Sequence, residues 1–422
     1  MHIARVATAV AFVLAFVFCT MAEAQTLTTL YTFQGNSDGS MPIGPLVFDT
    51  SGNLYGTTHA GGVKGSPCFI FGCGTVFELT PSVGGKWTEL QLYQFTGRSD
   101  GYAPEAGVTL DSAGDVFGTS PNGGSFNGLG TIFKLTHSAQ DWKFTRIFGF
   151  NGGDGADPLA GLTLEKGNLY GAAFRGGIGF GNVYELSPSN STLWNETVLY
   201  DFTNGSASLG PDANVIFDAD GNLYGTTRYG GGKHFGAAFE MTPSPDGSWT
   251  YKTLHVFTGL EDGGLPMSLV LDAVGNLYGV TVLGGSYNAG TAFELIRGSN
   301  WTEAVLHSFG SGQDGLYPMG SLAFDPLGNL YGTTEYGGSV GPCVAVNVTV
   351  GCGTIFRLNS TSGGTWNEDI LYRFSGGADG GLPDSAPILD SLGSLYGTTS
   401  IGGNLACPGE FEGCGTIYQL TP

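Results

Sequence analysis

With 74 glycines among 422 residues, and aromatic and charged residues at 12% each, the chain has about half the usual charge and an excess of turn-forming residues. Fifteen lysines and arginines against 36 acidic residues give a net charge of −21, which excludes nucleic acid as a partner and leaves no polybasic membrane anchor. The aromatic content argues against disorder, so the length reads as one large all-β domain of many short strands.

The first segment is a targeting signal. His2 and Arg5 precede an apolar run, Val6–Phe18, and Ala22-Glu23-Ala24 forms a cleavage site. Residues 1–24 are read as a signal peptide, so the mature chain starts at Gln25 and works outside the cytoplasm, secreted or periplasmic. Phe18 before Cys19 argues against lipidation there. No other apolar stretch is long enough for a transmembrane segment.

Next comes Leu27–Phe33, a lone strand-like segment containing Leu30-Tyr-Thr-Phe33. Seven copies of a longer unit follow. Asn-Leu-Tyr-Gly-Thr-Thr, or a close relative, starts at Asn53, Asp115, Asn168, Asn222, Asn276, Asn329 and Ser394. Each unit reads as four strands. Strand A is apolar and ends in Asp, B is Leu-Tyr-Gly-Thr, C is Thr-Val-Phe-x-Leu, and D runs from Trp to Phe. The repeat cores lie near 45–95, 107–150, 160–202, 213–257, 267–309, 320–374 and 386–420. The last unit stops after strand C, and Leu27–Phe33 has the sequence of the missing strand D. The pattern therefore predicts an all-β, seven-bladed propeller with four-stranded blades, its ring closed by the N-terminal strand.

The repeated Leu-Tyr-Gly-Thr-Thr, Gly-Gly, Gly-Thr-Val-Phe-x-Leu and Leu-Tyr-x-Phe segments resemble the GloVer (Gloeo-Verruco) tandem-repeat family of secreted bacterial proteins, over residues 27–422. The second copy, Asp115–Ser120, departs most. The resemblance implies an extracellular β-propeller and carries no catalytic motif. The Asp-x-x-Gly-Asn-Leu-Tyr turn is also similar to that of NHL-type propellers, which are mostly interaction modules.

Within the units, Trp87, Trp142, Trp194, Trp249, Trp301 and Trp366 recur at a fixed place, which reads as blade packing rather than a sugar platform. His255 and His307 fill a slot held elsewhere by Tyr31, Tyr93, Phe148, Tyr200 and Tyr372. No histidine has a second ligand at zinc spacing along the chain, so no metal site is expected.

Between strand D and the next A, Phe-x-Gly-x-x-Asp-Gly-x-x-Pro supplies Asp38, Asp100, Asp154, Asp262, Asp314 and Asp379. Asp-Gly is turn chemistry first. On one propeller face the six carboxylates are also the candidate binding residues; Ca²⁺ is the one cation they would take, and no other cofactor is expected.

The stretch between the Gly-Gly and Gly-Thr pairs holds 11, 5, 3, 4, 4, 14 and 11 residues in successive units. The three long loops carry the six cysteines that remain after signal removal. Spacing pairs them as Cys68–Cys73, Cys343–Cys352 and Cys407–Cys414. Ring closure makes units six, seven and one neighbours, so these loops gather in one sector.

No nucleophile elbow, zincin motif or phosphate loop is present. The expected protein is a monomeric binding module for a glycan or an extracellular protein. A polysaccharide hydrolase or lyase using the face carboxylates is the first alternative, and a structural surface protein the second.

Overall fold

The computed structural model describes residues 25–65, 67–68, 71–124, 128–138, 141–189, 192–203, 208–310, 313–345, 348–361, 363–407 and 412–422. The signal segment 1–24 lies outside them, as does Ser206 of the Ser206-Ala-Ser208 stretch that replaces the loop aspartate in the fourth unit. The strands form seven antiparallel blades with no α-helix among the described residues. Blade 1 consists of Val47–Phe48, Leu54–Thr58, Thr75–Ser82 and Lys86–Gln94, paired in that order. The other six repeat the plan. In blade 7, Thr26–Thr32 pairs with Thr416–Thr421, with Thr26 opposite Thr421. The N-terminal strand thus completes the last blade, as its sequence predicts. Among the described residues no helix is long and apolar enough to cross a membrane.

The repeated motif has a physical role at every position. In blade 1, Leu54 is buried in the core. Tyr55 meets Trp142 of the next blade edge-on at 6.5 Å. Gly56 lies against the face of Phe77: a Cβ there would fall 2.6 Å from Phe77 Cζ. Thr57 donates to the Ala106 carbonyl of blade 2 at 2.7 Å, and Thr58 bonds Thr75 within its own blade at 2.9 Å. The link from the first Thr recurs in blades 2, 4 and 6 through Thr119, Thr226 and Thr333. In blade 7, Thr398 donates to the Gly44 carbonyl and ties the last blade to the first.

The core therefore sits between blades rather than inside them. Each apolar cluster joins two neighbours; one, for instance, combines Phe117 and Ile132 of blade 2 with Leu169 and Tyr184 of blade 3. Another packs Tyr396 of blade 7 on Leu54 and Phe77 of blade 1. The tryptophans belong to this packing: Trp87, Trp194, Trp301 and Trp366 stand edge-on to Tyr396, Phe117, Tyr224 and Tyr278 of the preceding blade. Closing the ring removes the free sheet edges that an open array would expose.

Candidate functional site at the channel mouth

Six of the seven loops from strand D to the next strand A carry an aspartate that organises them. Asp38 accepts the Gln34 N–H at 2.7 Å and the Tyr31 hydroxyl at 3.1 Å. Asp100 does the same with Thr96 and Tyr93, and Asp379 with Ser375 and Tyr372. Asp262 and Asp314 take His255 and His307 in place of the phenol. Asp154 has Phe148 in that slot and accepts from the Asn151 backbone and side chain instead. The six predicted aspartates are thus spread over six blades, each engaged by its own loop. The glycine that follows is obligatory: Gly39 has φ +95°, and a Cβ would fall 2.1 Å from Thr58 Oγ1.

Two residues later the backbone again turns left-handed, now at side chains that rarely tolerate it. Met41, Ala103, Asp157, Leu265, Tyr317 and Leu382 all have φ between 52° and 57°. Each N–H donates to the carbonyl just before the Gly-Thr of the preceding blade. Ala103 reaches Cys73 at 2.8 Å, Leu382 reaches Cys352 at 2.8 Å, and Met41 reaches Cys414 at 2.9 Å. Elsewhere Leu129, Phe235 and Ala289 fill the acceptor position. The three disulfides form as the spacing predicts, with Cα separations of 5.1, 5.0 and 5.3 Å. Their second cysteines therefore support the turns of blades 2, 7 and 1 directly.

The turn is followed by proline and then by a residue aimed into the central channel. In blade order these residues are Ile43, Glu105, Leu159, Asp212, Met267, Met319 and Asp384. All but Met319 line a channel cavity of about 310 Å³. The frame around this position repeats and the position itself does not: three blades place a carboxyl group there. A second variable slot follows the strand B threonines and holds His59, Arg228 and Glu335 in blades 1, 4 and 6.

These groups interact. Arg228 Nη1 lies 3.0 Å from Asp212 Oδ2, and the Asp212 side chain is 4% exposed. Its other oxygen, Oδ1, has no hydrogen-bond partner. Burial pushes Asp212 up against the pull of Arg228. Burial also raises Glu105, helped by Asp157 and opposed by Arg228. Asp384 is pushed up to about 7 by burial and by the charge of Glu335. Glu335 is itself raised by burial, with Tyr336 and Arg228 acting against the shift. The mouth thus gathers several carboxyl groups around one guanidinium, on a wall of Ile43, Leu159 and Met267. It can offer acceptors to hydroxyl or cationic donors, and near neutral pH Asp384 can give a proton as well as take one.

The six loop aspartates stand five residues before this ring, at the turn. The available signal was variation: an aligned column reading Ile, Glu, Leu, Asp, Met, Met, Asp directly after a proline present in all seven units.

A closed seven-bladed propeller with an asymmetric acidic mouth is the class that fold and site define. The chain belongs to the Gloeobacter/Verrucomicrobia repeat family, whose sequence model matches residues 14–216 and 181–404. Comparison with curated proteins finds no match. Solved structures share the fold at low identity. A protein of unknown function from Dyadobacter fermentans is 11% identical at TM-score 0.46, over 94% of this chain and 98% of that one. An extracellular domain ascribed to a one-component system of B. thetaiotaomicron is 12% identical at TM-score 0.53, over 94% of this chain and 41% of that one. A gluconolactonase from Xanthomonas campestris is 14% identical at TM-score 0.41, over 93% and 88%.

Proposed function

We propose that the protein is an extracellular binding module whose ligand, a neutral glycan, enters the channel mouth. The observation that carries this reading is the broken symmetry of the post-proline ring. A residue serving only the repeat would recur in every blade, yet Glu105, Asp212 and Asp384 occupy three positions that are apolar in the other four. Sugar hydroxyls are donors that buried carboxyl oxygens accept, and the free Oδ1 of Asp212 lacks such a donor. A net charge of −21 disfavours polyanionic glycans. Secretion rests on the signal at residues 1–24 together with three disulfides.

Affinity electrophoresis of the mature protein through gels cast with neutral polysaccharides tests the proposal. Retention should fall at least tenfold in Asp212→Asn and Asp384→Asn. Retention that survives both but is lost on trimming the loop from Gly341 to Gly351 would move the site to the disulfide sector and favour an extracellular protein as partner. The elevated Asp384 supports a second reading, in which it acts as the general acid of a glycan hydrolase or lyase. That reading requires released sugars that disappear in Asp384→Asn.

A further inference from the structure

We propose that the seam between blades 5 and 6 is a binding site for a divalent transition metal, Zn²⁺ first, held by His307, Asp314 and Glu368. At three seams the strand D slot carries a ring whose hydroxyl reaches the loop aspartate: 3.1 Å for Tyr31, 2.9 Å for Tyr93 and 3.0 Å for Tyr372. His307 keeps that contact, with Nε2 3.1 Å from Asp314 Oδ2. The exchange costs the fold nothing visible: His307 still stands edge-on to Phe309 at 4.7 Å, as Tyr31 does to Phe33 at 5.1 Å. What it adds is an imidazole lone pair, which a neutral phenol cannot match as a metal ligand.

The third ligand comes from the next blade. Glu368 stands two residues after Trp366, a position that also holds Glu89, Glu196 and Glu303, while Phe144 and Tyr251 occupy it at the seams of Tyr93 and Tyr200, where the rings simply stack at 4.2 and 4.3 Å. Glu368 Oε2 lies 3.8 Å from His307 Nε2. One ligand atom from each of the three residues lies within 4.8 Å of the other two, and among the described residues no other such group occurs. Tetrahedral Zn²⁺ with bonds of 2.0–2.1 Å needs ligand atoms about 3.3 Å apart, so only the Glu368 rotamer has to adjust.

The site is also buried. The Asp314 and Glu368 side chains are 5% and 12% exposed, and Glu368 Oε1 has no hydrogen-bond partner, a feature it shares with Glu89, Glu196 and Glu303 at the same repeat position. Asp314 is also held from behind by the N–H groups of Gly310 at 3.1 Å and Gly315 at 2.6 Å, the outer support that ligating carboxylates need. Asp314 and Glu368 also share a hydrogen bond, and Arg373, on the strand of Glu368, acts against the rise that burial and that bond impose on Glu368. The chain spacing could not reveal this trio, because its members come from two blades and 61 residues separate the first from the last. The neighbouring seam repeats the residue types with His255, Asp262 and Glu303, but their ligand atoms do not gather within 4.8 Å of one another.

The test is calorimetric titration of the tag-free, chelator-stripped mature protein with Zn²⁺, Mn²⁺ and Ca²⁺. One Zn²⁺ or Mn²⁺ per chain is expected. Affinity should fall at least tenfold in His307→Tyr, which restores the residue of four other blades and so keeps the fold, and in Glu368→Gln. His255→Tyr should leave it unchanged. Absence of stoichiometric binding, undiminished binding by His307→Tyr, or preference for Ca²⁺ would overturn the proposal. None of these outcomes bears on the channel mouth, which lies on other residues.

Discussion

Replacing Phe33 with Ala should destabilise the protein as much as the same change in the middle of the chain. Phe33 follows the closing strand and is fully buried. It meets Tyr31 at 5.1 Å and Phe77 at 5.3 Å, and its N–H donates to the Gly415 carbonyl at 3.2 Å. Phe150, in the same slot between blades 2 and 3, meets Phe148 at 5.1 Å and Tyr184 at 5.4 Å and donates to Gly130 at 3.1 Å. Removing a buried Phe side chain costs about 3–5 kcal/mol, a factor of roughly 100 or more in the unfolding equilibrium. Urea denaturation followed by tryptophan fluorescence should therefore show Phe33→Ala and Phe150→Ala with similarly lowered midpoints. A Phe33→Ala midpoint equal to wild type, beside a lowered Phe150→Ala, would show that the terminal strand is not integrated and that the closure reasoning is wrong.

Gln25 stands where six blades have Trp, beside a cavity of about 70 Å³ lined by Tyr331 and Leu395; Gln25→Trp should fill it and raise stability by about 1 kcal/mol, read as a higher melting temperature. Burial, reinforced by Asp38, Asp154 and Asp262, pushes Glu89, Glu196 and Glu303 up to about 7. Folded protein then holds protons that the unfolded chain, with carboxyls near 4.3, releases, so this stability is complete below about pH 4 and is lost as pH rises through 7. The urea midpoint should be higher at pH 5 than at pH 8, and the triple Gln variant should narrow that gap. Changing Cys343 and Cys352 to Ser opens a loop of sequence separation 9 and should cost about 2–3 kcal/mol in non-reducing melts. A reductant added to wild type should cost at least as much.

The fold was legible because its signals are local and repeated. Leu-Tyr-Gly-Thr-Thr encodes packing, close approach and the link to the next blade in one short string, and seven copies make its period plain. The orphan strand at Leu27 was legible for the same reason. The channel mouth was harder to see, because its residues sit in the one column where the repeat carries no rule. Asp38 and its counterparts drew attention as charged and recurrent, yet recurrence is the mark of Asp-Gly turn chemistry. Glu105, Asp212 and Asp384 converge only when blades 2, 4 and 7 are bent into a ring. The His307 and Glu368 pair depends likewise on which strand faces which across a seam, and no spacing along the chain expresses that.

The pairing of Thr26 with Thr421 also orders events in time. The strand that locks the ring is the first synthesised, and its partner is among the last residues to emerge. Until then the chain is an open arc with an unmatched edge on its seventh sheet, and contacts at this sequence distance are the slowest to form. A chain lacking Thr416–Thr421 therefore has no locked state. Formation of that pair, rather than of any single blade, separates a durable molecule from one open to proteolysis.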